Sequence, residues 1–572
     1  MLGLWTFQIP LLVGLLILHY LKQLWSHRHY PPGPFELPFI GNMWRFAAQL
    51  PQNVLMELGK KYGKIYTLWL GPRPMVVLSG FQAVKEGLIG HSDEFSERTE
   101  TPFFKAIMKG KGIIFANGHT WKQQRHFGVV TLRKLGLGKK GMEHHIIEEA
   151  QQLVETFAEE KGQPFDPSLP ITNSVSEVIR ILAFGKQFPK ETFQKQVEAI
   201  ACMEKIISTV SHGLYEMFPW IMKHLPGLHQ KAFSTMDEAV LLAKKEIQNH
   251  KMYQTQYEPQ DFIDFYLLQM KKDKDGPNSA YNEDNLAQCV LELMGAGIDT
   301  ISTTLKWALL LMVNHPEIQD KVQKEIEDVF GSSSLICYQD RKKLPYTNAV
   351  IHEIMRYRYI LLFGSGRQTA QDVNIYGFHI PKGTFILPEL ISVLTDPEQW
   401  ETPEKFNPNH FLDMDGQFVT REAFLPFGAG ARVCIGEQLA HIQIFIFYTK
   451  LLRAFTFQLP EGVERLSEEI VPGLTLQPHP FKFCAIPHCI YHKPGEGTMF
   501  QLNMVLERIM NSGIRYWRIW RKPEFTTTWK GWPSVSFISP MRWKALWQEK
   551  TQHHQPPAPL VVHHLALDLP QV

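Results

Sequence analysis

Cysteine is scarce in this 572-residue chain: Cys202, Cys289, Cys337, Cys434, Cys484 and Cys489 are its only six. They are scattered, with neither the C-x-x-C spacing of a zinc site nor the density of a disulfide framework, which points to a reducing, cytosolic setting for the soluble part. An excess of one charge is missing too. With 59 basic and 57 acidic residues the formal charge is +2, so net charge argues for no polyanionic partner and nucleic acid is not expected. No linker-like composition divides the interior, and one large core is the simplest reading of the length. Hydrophobic content of 44% and charged content of 20% are ordinary for a globular protein.

Basic residues are absent before Lys22, where the chain is instead apolar. Leu2 to Leu21, with Trp5 and Tyr20 near its ends, has the length of a helix crossing ~30 Å of hydrocarbon. Lys22 and Arg28 follow, so the positive-inside bias places the downstream chain in the cytosol. The basic n-region and small-residue cleavage site of a removable signal are lacking. A transmembrane anchor is expected over 2–21, then a basic, proline-rich hinge over 22–42 containing Pro31-Pro32-Gly33-Pro34.

Strand patterns are few. Ile65 to Leu70 and Met75 to Leu78 read as two strands around Gly71-Pro72-Arg73-Pro74. Val373, Ile375, Phe378 and Ile380 read as a pair turned at Pro381-Lys382-Gly383. The rest is mainly helical, giving a mainly α fold with a small β portion. The longest helical pattern runs from Asn285 to Val313, and Glu292, Asp299 and Lys306 argue against its being a second membrane span. Its centre, Gly295-Ala296-Gly297-Ile298-Asp299-Thr300, holds two glycines costing about 1 kcal/mol each relative to Ala. They suit close approach by a ligand or by another helix. The acid and hydroxyl beside them suggest a local opening of the backbone ladder and a route for protons.

Other signals are weak alone. Trp121 and Arg125 share a helix face and suit a buried carboxylate, although such pairs are usually surface contacts. Glu353 and Arg356 meet at i, i+3 spacing. Phenylalanines in the loop-rich stretch from Phe95 to His119 serve equally well as core plugs or pocket lining. The apolar segment Leu214 to Gly227 rests on a bilayer surface or forms a buried connector.

The most specific stretch is Phe427-Gly428-Ala429-Gly430-Ala431-Arg432-Val433-Cys434-Ile435-Gly436, which runs into a helical pattern. Three glycines suit a backbone lying against a flat ligand, Arg432 supplies a cation two residues before the sulfur, and the helix N-terminus favours a thiolate. Phe427, Gly430, Arg432, Cys434 and Gly436 fill every fixed position of F-x-x-G-x-R-x-C-x-G, the haem-binding signature of the cytochrome P450 superfamily. The chain resembles that family from about Tyr30 to Pro487. Arg133 to Lys140, Gly162 to Pro167, Phe218 to Lys223 and Tyr346 to Glu353 are most similar to microsomal family 2, its J subfamily in particular.

That resemblance implies a P450 fold, with a long central helix over haem b and small antiparallel sheets, in a catalytic domain spanning 43–489. It implies Cys434 as the axial ligand of the haem iron, with Arg432, Phe427, Gly428, Gly436 and Ala296 at the haem. Trp121, Arg125 and Arg367 would join Arg432 on the propionates, and Glu353, Arg356 and His410 would brace the proximal side. Ala296, Gly297, Asp299 and Thr300 match the oxygen-activating motif, giving Thr300 and Asp299 the handling of water and protons. The substrate pocket is expected from Phe103, Phe104, Ile114, Phe115, Gly295, Leu361, Leu362, Phe363, Leu474 and Thr475. Relatives usually carry prolines where Leu362 and Gly366 stand, so a looser pocket wall is expected.

The implied activity is monooxygenation of a lipophilic substrate at the endoplasmic reticulum membrane, with the catalytic domain on the cytoplasmic face. Electrons would pass from NADPH through the membrane reductase, with cytochrome b5 as a second partner, docking near Lys122, Arg133, Lys134, Lys139 and Lys140. Polyunsaturated fatty acids such as arachidonate, epoxidised or hydroxylated, lead the substrates; xenobiotics, steroids, retinoids and a carotenoid ring stay open. One rival is a haem-thiolate isomerase, against which Asp299-Thr300 argues; another is a membrane-anchored haem-binding protein that has lost catalysis. Residues 490–572 fall outside the resemblance, hold six of the 14 tryptophans, and are expected to be poorly ordered.

Overall fold

The computed structural model describes residues 14, 18, 20, 29–47, 51–136, 142–207, 209–253, 258–273, 276, 278–331, 335–362 and 366–488. The expected anchor (14, 18 and 20 excepted), the first part of the hinge, Lys139, Lys140, Phe363 and the 490–572 extension lie outside the described residues.

Helices dominate. Those that build the site are α1 (Gly118–Gly136), α2 (Met142–Glu159), α3 (Ser168–Phe184), α4 (Lys190–Ile207), α5 (Leu228–Tyr253), α6 (Glu283–Asn314), α7 (Pro345–Tyr357) and α8 (Glu437–Ala454). The longest is α6, whose 32 residues span ~48 Å at 1.5 Å per residue. Its start is well specified: the Asn282 side chain accepts from the Asn285 amide, and Glu283 and Asp284 in the first turn oppose the helix dipole. It ends at Asn314, with His315 as its cap and Pro316, which cannot continue it, next. By length and composition α6 is apolar enough to cross a membrane, but it is a core helix, packed by α3, α5 and α8 and buried through most of its length.

The sheet is small, as expected. Strands β1 (Ile65–Leu70) and β2 (Arg73–Ser79) form a hairpin over Gly71, with Ile65 opposite Leu78 and Leu70 opposite Arg73. In chain order the others are β3 (Arg367–Gln368), β4 (Val373–Ile375), β5 (Phe378–Ile380), β6 (Phe385–Glu389), β7 (Phe455–Gln458), β8 (Ile470–Val471), β9 (Gln477–Pro478) and β10 (Cys484–Pro487). The main sheet runs β1-β2-β6-β3, with β2 and β6 parallel. The β4–β5 hairpin turns at Tyr376 and Gly377, both at positive φ, and not at Pro381-Lys382-Gly383. Two consecutive positive-φ residues match the twist of a tight hairpin, whereas Gly383 closes on the Thr369 carbonyl at the entry to β6.

Two further expectations change. The loop-rich stretch after Phe95 contains a helix, Pro102–Met108, started by Pro102. The backbone ladder of α6 is unbroken at Gly295 to Thr300. A Cβ on Gly297 would lie 2.7 Å from Ile179 Cδ1 and one on Gly295 3.3 Å from Ile200 Cγ2. These glycines therefore bring α3 and α4 close to α6; the local opening is not present.

Candidate active site

Between α6 and the Cys434 loop lies a cavity of about 1970 Å³ lined mainly by apolar side chains. Cys434 forms part of its wall, enclosed in the protein but open to the cavity. The loop is fixed by its own backbone: Cys434 donates its amide to the Phe427 carbonyl at 3.1 Å and Val433 to Gly430 at 3.1 Å. Gly430, at φ 71°, is obligatory because a Cβ there would sit 1.8 Å from the Leu88 carbonyl oxygen. Ala431 is held by the Ser92 hydroxyl at 2.9 Å.

The sulfur's electrostatics differ from the sequence expectation. Burial pushes the Cys434 thiol up, outweighing the Gly436 and Glu437 amides and the charge of Arg125, which pull it down. Helix dipole and loop amides alone do not make this a thiolate. Nor does Arg432 cradle it. Its guanidinium turns away to Ser96, Ile113, Ile114 and Ala116 carbonyls and to Asn117 Oδ1, and stacks 3.9 Å above the Trp121 ring. Arg125 stands nearer to the sulfur's role, donating to the Val433 carbonyl at 2.8 Å.

Arg432 belongs instead to a wall of guanidiniums with Arg98, Arg125 and Arg367, all of which line the cavity. Burial and then mutual repulsion lower them, Arg432 to about 8 and Arg98 to about 10. Arg367 is lowered by the same two causes, and burial lowers Arg125. Among the described residues no carboxylate pairs directly with Arg98, Arg125 or Arg432; Glu292 nearby is committed to the amides of Ile113 and Ile114 at 2.5 and 3.0 Å. Among the same described residues, buried Trp121 Nε1 also has no hydrogen-bond partner. A concentrated positive wall, an unpaired buried N–H and a thiol turned into the same apolar space fit a flat, dianionic, soft-metal group such as haem b. Arg98, whose Nη1 donates to the Gly366 carbonyl at 2.9 Å, was not singled out by sequence; a lone arginine just before an apolar stretch was the available signal.

On the opposite side, Thr300 donates its hydroxyl to the Ala296 carbonyl at 2.6 Å within α6. Asp299 turns to the segment after β8, accepting from Thr475 Oγ1 at 2.5 Å and Gln477 Nε2 at 2.8 Å. Ala296, Asp299, Thr300 and Gly295 all line the cavity. A carboxyl missed by sequence, Glu204 of α4, lines it too; burial and the neighbouring charge of Asp299 push it up to about 8.

Of the expected pocket residues, Phe104, Ile114, Phe115, Leu361, Leu362, Leu474 and Thr475 line this cavity, as do Phe427, Gly428 and Gly436. Phe103 does not. It is fully buried among Tyr215, His212 and Phe233, because successive residues of its helix face ~100° apart and only Phe104 turns inward to stack on Phe115. The wall at Gly366 is tight, not loose, since a Cβ there would lie 2.5 Å from Phe385 Cε2.

Away from the cavity, Glu353, Arg356 and His410 come together as expected. Arg356 is bidentate on Glu353 at 2.7 and 2.8 Å and donates to the carbonyls of Leu394, Pro403 and Lys405. His410 Nδ1 lies 3.1 Å from the same carboxylate, and all three side chains are essentially inaccessible.

Comparison with known proteins agrees with this geometry. The family model described as Cytochrome P450 matches residues 31–485. Mouse (Mus musculus) cytochrome P450 2J5 is 43% identical over 462 residues, covering 80% of this chain and 92% of the relative. Human (Homo sapiens) cytochrome P450 2J2 is 42% identical with the same coverage, and zebrafish (Danio rerio) cytochrome P450 2K6 is 42% identical over 457 residues, 79% of this chain and 90% of its own.

Proposed function

As the chain belongs to the cytochrome P450 family, in family 2 and most like the J subfamily, it is a haem monooxygenase of the endoplasmic reticulum membrane, and we propose that it oxygenates polyunsaturated fatty acids such as arachidonate. The overall reaction joins one atom of dioxygen to the substrate and reduces the other to water, consuming two electrons from NADPH and two protons. Haem b supplies the oxygen activation and oxidising power when bound.

The residues of this chain divide the remaining work. Cys434 would hold the haem through its sulfur, and its raised thiol fits that role, since coordination to a metal cation would deprotonate a sulfur that burial keeps neutral. Arg98, Arg125, Arg367, Arg432 and Trp121 Nε1 would hold the two propionates, whose charges would relieve the repulsion within the guanidinium wall. Phe427, Gly428, Gly436 and Ala296 would border the ring. Thr300 and Asp299 pass protons to the oxygen side, and the apolar lining excludes bulk water.

The observation that carries the substrate reading is the cavity itself. Its volume, about 1970 Å³, exceeds the ~300–1,000 Å³ of drug-sized sites, which leaves room for a long flexible acyl chain beside the macrocycle. It opens near apolar groups exposed on two adjoining segments: Phe39 and Trp44 on one, and Leu214, Phe218, Trp220 and Ile221 on the other, which approach so closely that a Cβ added to Gly213 would lie 4.0 Å from Met43 Cε. These groups rest on the membrane and admit substrate from lipid. The catalytic domain faces the cytoplasm, where the membrane reductase and cytochrome b5 dock on the side of Lys122, Arg133 and Lys134.

Purified protein reconstituted with reductase and NADPH is expected to convert arachidonate to epoxides and hydroxy acids detectable by mass spectrometry. NADPH-dependent oxidation of drug-like or steroid probes with no oxygenated fatty acid would overturn the substrate assignment while leaving the monooxygenase class intact.

A further inference from the structure

Both carboxylate oxygens of Asp299 are engaged by a segment far away in sequence. Thr475 Oγ1 donates to Oδ2 at 2.5 Å, and Gln477 Nε2 donates to Oδ1 at 2.8 Å and to Thr475 Oγ1 at 2.9 Å. The other end of the Gln477 amide accepts from Lys306 Nζ at 3.4 Å. Lysine has only donors, so this contact fixes the amide with its NH2 toward Asp299. The segment is itself anchored: Trp307 Nε1 donates to the Leu476 carbonyl at 2.8 Å, and the Leu476 amide to the Ile360 carbonyl at 2.7 Å. Gln477 lies outside the cavity lining, whereas Thr475 is part of it.

We propose that Thr475 and Gln477 are positioning residues for Asp299, holding its carboxylate against the segment 474–478 with an orientation set by Lys306. Thr475 was expected to contact substrate; its geometry gives it this second task. The inference rests on the reading of Asp299 as part of the proton supply. Without the two donors the acid is free to rotate toward Glu204 of α4 or Lys306 of its own helix, the charged groups that face it; Asp166 acts in turn on Lys306.

The test is Gln477→Glu in the haem-loaded, detergent-solubilised protein. The change is isosteric and keeps the packing, but replaces the amide donor with a second carboxylate. Like charges disfavour ionisation, and Asp299 at 2.8 Å is nearer than Lys306 at 3.4 Å, whose own charge burial disfavours, so stability is lost as pH rises: the apparent Tm deficit against wild type should widen by about 2 °C or more from pH 5.5 to 8.5. That widening should largely vanish in an Asp299→Asn background. In turnover, the acid limb of the pH profile of coupling, measured as product per NADPH, should move up by about one unit. Thr475→Val should lower coupling and Thr475→Ser restore it. A Tm deficit independent of pH, or unchanged in the Asp299→Asn background, would overturn the proposal. Wild-type coupling in Asp299→Asn alone would instead remove Asp299 from the proton supply, and the thermal cycle would still decide whether Gln477 holds it.

Discussion

Glu353 and Glu204 are both carboxyl groups inside this protein, and they are kept in opposite ways. Glu353, on the proximal side, accepts from Arg356 twice, from the Asn407 amide at 2.8 Å and from His410. Glu204, on the cavity side, has no hydrogen bond or ion pair among the described residues and looks across at the charge of Asp299. The same contrast extends to their surroundings: His410 Nε2 finds the Thr402 hydroxyl at 3.0 Å, whereas Trp121 Nε1 finds no partner among the described residues. Polar groups of the proximal frame are satisfied by the chain itself. Around the cavity Asp299 and Arg432 are satisfied too, but Glu204 and Trp121 Nε1 are left for something else to satisfy, which is how a binding chamber differs from a core.

Variants that sharpen this contrast can be ranked by what they cost the fold. Glu353→Ala should cost most, about 3–5 kcal/mol, because it strands the inaccessible Arg356 charge. Denaturant unfolding of the haem-loaded protein would measure it, and a loss below about 1 kcal/mol would show that the frame relaxes as freely as a surface pair.

Glu204→Gln should do the reverse at alkaline pH. The folded-state value of about 8 lies above the ordinary 4.5 of a free glutamate, so the wild-type contribution is complete below about 4.5 and lost as pH rises through 8. Glutamine does not titrate. The variant should match wild type near pH 5 and exceed it by about 2 °C or more in apparent Tm near pH 9; a constant difference across this range would mean that Glu204 is solvated in the folded protein.

How much of this was legible beforehand follows the same division. The frame announces itself in short-range pattern: Glu353 and Arg356 are three residues apart on one helix, and the ten residues around Cys434 carry fixed spacings that only one backbone path satisfies. The helical core was legible as well, with α6 extending only two residues before and one after the expected Asn285 to Val313. The chamber was harder because its members come from distant segments. Arg98 carries only a weak local signal and Glu204 and Gln477 carry none, and only folding brings 98, 204, 299 and 477 to one cavity or its rim. Phe103 was misplaced because adjacent phenylalanines on an unforeseen helix point in different directions, and Arg432 because sequence proximity to Cys434 says nothing about where a long side chain reaches.

Cys434→Ala separates fold from function more cleanly. The side chain faces the cavity and donates to no buried acceptor among the described residues, so the fold should lose little, under about 1 kcal/mol. The red-shifted carbonyl band of the reduced protein should disappear together with turnover. A variant that keeps the band would refute the ligand assignment.

Thr300→Ala is expected to cost the fold least of all. Its hydroxyl bonds only back to the Ala296 carbonyl one turn earlier in the same helix, a contact that contributes little to stability, and alanine is the better helix former. That same geometry makes the residue informative: a hydroxyl whose present acceptor is a helix carbonyl can turn into the cavity without breaking the fold, which is what a proton-passing group requires. The expected result is NADPH consumption near the wild-type rate with product per NADPH reduced several-fold and peroxide raised in proportion. Thr300→Ser, which keeps the hydroxyl and its reach, should restore coupling. If alanine leaves coupling unchanged, the hydroxyl is only a helix contact, and the burden of proton supply moves to Asp299 and the residues that hold it.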